Sequence, residues 1–313
     1  MRGDGFAADL DRRWRQHLER QDLHDFVVVL TVLRTLPSPL RVPLFGKAAA
    51  RLLQSDTDSR LHELRELVSV MESSLPAVRM RRLKISDGSL IGFYSAINTG
   101  VLRDSHRGEI SLIAEDVADT ALTFGRDSVL LDEGFDRPRH AAVLPIRRYS
   151  QETWPGMLDA LDSSLDLVIC HAFTPIASHK IAERVRLRVN QMRGADDLAT
   201  SIQEQLIRTA DDVESGRQGV GQHQLTITVY ADSAAELDRR VSQIKGAAEQ
   251  AKVKLARCTR SLEATFFARH PGNTDYHCWE MAVSSTTFAD MASFHIADAG
   301  TKAAELYLSL IHI

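Results

Sequence analysis

Cysteine is scarce in this chain. The 313 residues hold three, Cys170, Cys258 and Cys278, far apart and without a C-x-x-C pair, which argues against a disulfide framework and a sulfur-rich zinc site and fits a reducing compartment. Long apolar runs are missing as well. The most apolar stretch near the start, Phe26 to Leu33, is 8 residues with Thr31 inside it, and a helix needs about 20 to cross a bilayer. Arg2 is followed by Asp4, without the apolar stretch and small-residue cleavage site of a secretory signal. A dominant charge is absent too: 38 Lys and Arg against 42 Asp and Glu leave a net charge of −4, so the whole molecule offers no field for nucleic acid or an anionic membrane.

The catalytic signatures are equally sparse. No stretch matches G-x-x-x-x-G-K-[ST], whose backbone N–H groups cradle nucleotide phosphates while its Lys neutralises them. Gly216, Gly219 and Gly221 follow a helical pattern and precede a strand pattern, the reverse of a dinucleotide fingerprint, and read as a connecting turn. His270, His277, Cys278 and His295 fit neither a zinc finger nor an H-E-x-x-H helix and read as ordinary surface or core residues. No G-x-S-x-G elbow presents a serine nucleophile. No residue is therefore assigned as catalytic, cofactor-binding or metal-binding.

What is present is a globular composition, 44% hydrophobic and 26% charged, long enough for about two domains. From Leu10 to Glu72 the pattern is helical, with Leu61, Leu64, Val68 and Met71 on one stripe and Pro37, Pro39 and Pro43 interrupting it. Val78 to Leu131 reads as mixed α/β, punctuated by Asp87-Gly88 and Gly125-Arg126-Asp127.

The next region is the most legible. Ala141 to Tyr149 predicts a strand; Thr153 as N-cap with Pro155 behind it predicts a short helix carrying Met157, Leu158 and Leu161. Leu167 to Phe173 is apolar on both faces and predicts a buried strand. Ile181, Val185, Val189 and Met192, then Leu198, Ile202 and Leu206 after Gly194, predict an antiparallel helical hairpin. Leu225, Ile227 and Val229 alternating with Thr226, Thr228 and Tyr230 predict a strand. Ser233 with Glu236 has capping-box spacing ahead of the stripe Leu237, Val241, Ile244 and Ala248, and Val253 and Leu255 predict a last strand.

The fold class is α+β: a ferredoxin-like split βαβ unit with a helical-hairpin insertion, preceded by a helical N-terminal segment. The expected organisation is a helical segment over 1–76, mixed α/β over 77–136, the ferredoxin-like module over 137–275 with its insertion at about 177–215, and a linker over 276–313. Pro145 is at odds with a central strand, because it cannot donate to a ladder; a bulge or a different strand order would accommodate it.

Two surface features have alternative readings. Lys180, Arg184 and Arg188, with Arg186 and Arg193 nearby, form a positive helix stripe, which is a solvated face or a contact for an acidic partner or nucleic acid. Trp154 and Tyr149 are either corner packing or an exposed aromatic contact.

From Ile113 to His295 a series of strings stands in a characteristic order: Leu122-Thr123-Phe124-Gly125-Arg126-Asp127; Ala142-Val143-Leu144 leading to Tyr149; Thr153-Trp154-Pro155-Gly156-Met157-Leu158; Gly221-Gln222-His223-Gln224-Leu225-Thr226; Phe266-Phe267-Ala268-Arg269 with Pro271-Gly272-Asn273; and Ser284 to His295. In order and spacing they resemble the N-terminal part of the type IV secretion and conjugative transfer ATPases, the CagE/TrbE/VirB type. Pro145 stands where related sequences carry a strand former, and the block after His295 has no clear counterpart.

The resemblance implies an N-terminal module, cytoplasmic and peripheral at the inner membrane, ahead of a RecA-like motor that uses ATP and Mg. It also implies partners among the other inner-membrane subunits of such systems, and self-association. In that family the P-loop follows the Ser284 to His295 type of segment, so this chain is expected to stop before the motor and to bind no nucleotide itself. The last six residues, Leu308-Ser309-Leu310-Ile311-His312-Ile313, resemble a translated sequencing adapter and are set aside from the expected fold. A scaffold without a motor and a DNA-binding accessory of conjugation are the alternative functions.

Overall fold

The computed structural model describes residues 28–33, 47–75, 80–102, 113–118, 120–132, 138–150, 152–161, 165–183, 185, 187, 200–292 and 306–310. In chain order its strands are β1 (Val28–Val32), β2 (Met80–Arg82), β3 (Leu122–Phe124), β4 (Val129–Leu131), β5 (Arg139–Arg148), β6 (Leu167–Pro175), β7 (Val220–Ala231), β8 (Lys254–Leu255), β9 (Met281–Ser284) and β10 (Leu306–Leu310). The helices are α1 (Lys47–Ser74), α2 (Ser89–Thr99), α3 (Ile113–Val117), α4 (Thr200–Glu214), α5 (Ala234–Gln250), α6 (Leu262–Phe267) and α7 (Ser285–Met291), and residues 178–183 are also helical. Two compact units form: Met1–Ala118 with His270–Gly272 and Ala297–Ile313, and Asp119–Arg269 with Asn273–Ile296.

In the first unit α1 turns Leu64 and Val68 inward, as its stripe predicts. The turn before α2 is set by Asp87, whose carboxylate accepts the Ser89 N–H at 3.0 Å, and by Gly88 at φ 76°. The Ser89 hydroxyl, which also donates to this carboxylate, and the Ser89 N–H hold the Asp87 carboxyl below its ordinary range. Gly100, at φ 72°, closes α2, and α3 packs beside it.

Two expectations are corrected here. The N-terminal segment is not helical throughout, since Val28–Val32 is a strand: Val28, Val29, Thr31 and Val32 are β-branched, and their χ1 stiffness favours a pleated surface. Leu306–Leu310, part of which was set aside, lies between β1 and β2 as the middle strand of a parallel sheet. The remainder of the expected helix, over 10–27 and 34–46, lies outside the described residues.

The second unit is α+β around an antiparallel seven-stranded sheet. Its path is β3-β4-β5-β7-β6, with β8 on β5 and β9 on β7. β7 is its spine, and the period of two decides its packing. Leu225, Ile227 and Val229 join Leu237, Val241, Ile244 and Ala248 of α5 in one core; Tyr230 joins Val129, Leu131, Cys258, Leu262 and Phe266 in the other. Burying Leu237, Val241 and Ile244 contributes about 2 kcal/mol each.

The N-cap half of the expected capping box forms, with the Ser233 hydroxyl accepting the Glu236 N–H at 3.3 Å. The Glu236 carboxylate takes Arg240, at 2.6 Å. Ser233→Ala is expected to cost about 1 kcal/mol, read as a lower urea midpoint; an unchanged midpoint would show that the cap contributes nothing here.

The Thr153 helix is a further correction. Among the described residues between β5 and β6 there is one 3₁₀ turn, Asp159–Leu161, although Met157, Leu158 and Leu161 are buried as expected. Thr153 does not cap its own segment. Its hydroxyl donates to the Asp290 carboxylate, the Gly156 N–H donates to the Asp290 carbonyl at 3.1 Å, and Gly156 sits at φ 74°, a left-handed geometry that stops a helix.

Pro145 resolves as a local irregularity. It pairs with Thr226 of β7 while its carbonyl accepts the Ala256 N–H at 3.0 Å, and the β5–β8 register shifts between Ile146 and Arg148. In an extended strand a residue's N–H and C=O face the same edge, so the missing donor faces the segment after β8 and leaves the β7 ladder whole.

The insertion rests on a small cluster of Ile181, Val213 and Val220, with Ile176 and Val185 against it. The side chains of Val189, Met192, Leu198, Ile202 and Leu206, on which the hairpin reading also depends, lie outside the described residues. Among the described residues no helix is long and apolar enough to cross a membrane.

Candidate functional site

Alternation along two neighbouring strands creates the most unusual chemistry in the second unit. On β7, His223 shares the face of Leu225; on β6, His171 pairs with Leu225 and therefore shares that face too. The two imidazoles lie diagonally across the strands with ring centroids 5.3 Å apart, and Nδ1 of His171 is 3.2 Å from Nε2 of His223. Tyr149, just past β5, brings its hydroxyl to 2.9 Å from Nδ1 of His223.

A third element covers this chain of polar atoms. The Ser284 hydroxyl caps α7 by accepting the Thr287 N–H at 3.0 Å, and α7 presents Phe288 to His223 at 5.3 Å and to His171 at 6.1 Å. Phe288 also stacks on Phe173 at 4.7 Å. α7 is secured at both ends. At its start the Ser285 N–H donates to the Gly219 carbonyl at 2.8 Å, and the Ser285 hydroxyl accepts the Gly219 N–H at 3.0 Å. Near its end Asp290 holds Thr153 and Gly156, and Met291 enters the main core.

Burial sets the electrostatics. It lowers His171 to about 4, and burial together with the neighbouring His171 lowers His223 to about 3; burial also pushes the Tyr149 phenol up. Both imidazoles are neutral at pH 7, and at these values they are weak proton acceptors. With the Tyr149 proton donated to Nδ1 of His223, the hydrogen of His223 sits on Nε2 and is donated to His171. Nε2 of His171 is buried and finds no hydrogen-bond partner among the described residues. The arrangement is a closed polar chain under a helix.

The opposite face of the sheet holds a second buried polar group. Arg269 lies over the Phe266 ring at 3.9 Å, donates to the Phe266 carbonyl at 2.8 Å and to the Tyr230 hydroxyl at 3.1 Å. Burial pushes the Cys170 thiol up and Arg269 partly offsets it.

Gly216 and Gly219 lie in the connection between α4 and β7, whereas Gly221, expected in that turn, is inside β7. Gly216 ends α4 at φ 72°, Gly219 meets Ser285, and Gly221 lies against Phe173. His277 pairs with Glu280 at 3.0 Å, Cys278 is exposed, His270 stacks on Tyr94 at 6.2 Å, and His295 lies outside the described residues. Burial pushes the Tyr94 phenol up to about 12. Among the described residues no group of three His, Cys, Asp or Glu side chains converges as a metal site would require. Of the positive stripe, Lys180 is exposed, and the side chains of Arg184, Arg186, Arg188 and Arg193 lie outside the described residues. Trp154 is exposed, and Tyr149 belongs to the histidine chain.

Reading the sequence alone overlooked the histidine pair. His171 and His223 are 52 positions apart and no spacing rule joins them; the available signal was that each interrupts an otherwise apolar strand face.

The sequence pattern of the CagE, TrbE, VirB family, component of type IV transporter system, matches residues 83–278. Among curated proteins the chain is similar to the type IV secretion system protein virB4 of Bartonella henselae, 26% identical over 303 residues, covering 93% of this chain and 38% of that protein. It is similar to the type IV secretion system protein PtlC of Bordetella pertussis, 25% identical over 158 residues, covering 50% and 19%. It is also similar to the protein virB4 of Agrobacterium tumefaciens, 28% identical over 155 residues, covering 49% and 20%. At its longest match the chain spans 38% of the relative's length. With well over half its residues inside the family pattern, this chain belongs to the CagE, TrbE, VirB family of type IV transporter components.

Proposed function

We propose that this chain is the N-terminal docking module of a type IV secretion or conjugative transfer ATPase, whose RecA-like motor couples ATP hydrolysis to pilus assembly and substrate export. The observation that carries the reading is the family match over residues 83–278 in a chain without a Walker A loop. Phosphoryl transfer is done mostly by positioning and charge stabilisation from a P-loop, its Lys and Mg²⁺. In this reading those parts, with ATP and Mg, belong to the remaining length of such a protein. The module works at the cytoplasmic face of the inner membrane, among other subunits of the system and other copies of itself.

The strand order β8-β5-β7-β6, antiparallel throughout, supports reading the second unit as a ferredoxin-like split βαβ with a helical insertion. Its first crossover is reduced to the Asp159–Leu161 turn, and its second is α5. The module read from the sequence, 137–275, is then the part that docks.

Titration calorimetry of the 313-residue chain with Mg-ATP is expected to give no saturable heat. Micromolar, Mg-dependent binding would overturn the assignment of nucleotide chemistry to the motor. Reading the gene from independent genomic DNA is expected to reveal a Walker A motif downstream of Thr301, and a finished frame without one would remove the motor from the proposal.

A further inference from the structure

The bonds within the histidine chain leave no place on it for a further proton. Nδ1 of His223 accepts from the Tyr149 hydroxyl, and Nδ1 of His171 accepts from Nε2 of His223, so each neutral ring has its one lone pair engaged. A proton added to His171 would set two N–H groups against each other across 3.2 Å, and one added to His223 would cost the bond from Tyr149. The hydrogen of His171 is left on Nε2, a buried donor without an acceptor, which is a standing cost of the closed arrangement.

The cover over this chain is lightly fastened. α7 is about two turns long, and its polar ties run to loops, not to strands. Gly219 and the Gln218 side chain hold its start through Ser285 and the Thr286 hydroxyl; Thr153 and Gly156 hold its end through Asp290. Between the ties Phe288 touches Phe173 and the two imidazoles, and Met291 is the apolar anchor. The β9–β7 ladder precedes α7, so the helix can lift while the sheet stays whole.

The surroundings of the pair carry no other charge. Tyr149 comes from the end of β5, Phe173 from β6, Met281 from β9 opposite His223, Phe288 from α7, and apolar side chains from α5 and the Asp159–Leu161 turn. Burial and the neighbouring ring are the influences on the two imidazoles, and the one charged side chain of α7, Asp290, holds Thr153.

We propose that α7 is an acid-released strap: it lifts from the end of the sheet as a local unit, and the His171–His223 pair takes up protons only once it has lifted. The inference concerns the second unit alone and does not rest on the proposed function. Its sign follows from linkage. The closed rings refuse protons that the open rings bind at their ordinary 6.5, so closure is favoured fully above about pH 6.5 and progressively less below it. Lifting bares both imidazoles, Phe173 and Phe288, and frees the chain that follows Met291.

The test is hydrogen exchange of the whole chain between about pH 7.5 and 5.5, corrected for the intrinsic pH dependence of amide exchange. The amides of α7 and of Gly156 are expected to open roughly five- to thirtyfold more at pH 5.5 than at pH 6.5, the range set by one proton or two. Those of β7 and α5 keep their protection. His171→Phe combined with His223→Gln, which leaves the Tyr149 hydroxyl an acceptor, is expected to abolish the increase. Thr153→Val cuts a tie and keeps both imidazoles; opening should rise about tenfold at every pH, with the pH dependence unchanged.

An α7 whose exchange ignores pH, or responds equally in the double variant, would overturn the proton coupling. Exchange of α7 only together with β7 would overturn the local strap, and so would a silent Thr153→Val. The wild type and Thr153→Val decide the matter even where the double variant does not fold.

Discussion

Gly221→Ala is expected to destabilise the second unit by about 3 kcal/mol, through overpacking at a site that cannot yield. A Cβ there would lie 2.4 Å from Cζ of Phe173 and 2.7 Å from the Thr174 carbonyl oxygen. The ring could turn only by leaving its stack on Phe288, and the carbonyl belongs to the β6 backbone paired with β7. Gly246→Ala is the counterpart. No atom lies within 4 Å of the added carbon, and the position is inside α5, where the change stabilises by about 0.5 to 1 kcal/mol. Urea denaturation of both variants decides the matter: opposite shifts in midpoint are expected, and a neutral Gly221→Ala would mean that the two strands separate at little cost.

The second large effect is acid sensitivity. His171 and His223 fall from 6.5 to about 4 and about 3 in the folded chain, chiefly through burial. A lowered imidazole pKa means that the unfolded chain binds protons which the folded chain refuses. Stability is therefore full above about pH 6.5 and falls as the pH drops from there toward 3 to 4, with each refused proton contributing about 1.4 kcal/mol per pH unit. His171→Phe removes one of the two protons, so its stability should fall less steeply between pH 6 and 4 than that of the wild type. Carboxylates titrate in the lower part of this range in both proteins, and the difference between the two slopes isolates the histidine. Equal slopes would show that the pair is hydrated in the folded state.

The Gly221 and histidine effects come from one place, the end of the sheet covered by α7, and they show how unevenly the sequence exposes its fold. The Leu225 to Tyr230 alternation, the Ser233 cap and the α5 stripe were legible because each is a local pattern with one physical outcome. The Thr153 helix was misread because the Asp290 carbonyl, more than a hundred positions away, takes the Gly156 N–H that a Thr153 cap would have used, with Gly156 in a left-handed geometry. The Val28–Val32 strand was misread because a short apolar run has the same composition in a buried helix and a strand.

Residue order alone determined the α+β class, most of the strand and helix positions around β7, and the family, because alternation, capping and motif order are properties of neighbours along a chain. The tertiary structure decided which strand became the edge, which histidines met and which helix covered them. Those outcomes depend on long-range register, and a one-residue shift of β6 against β7 would carry His171 to the opposite face of the sheet.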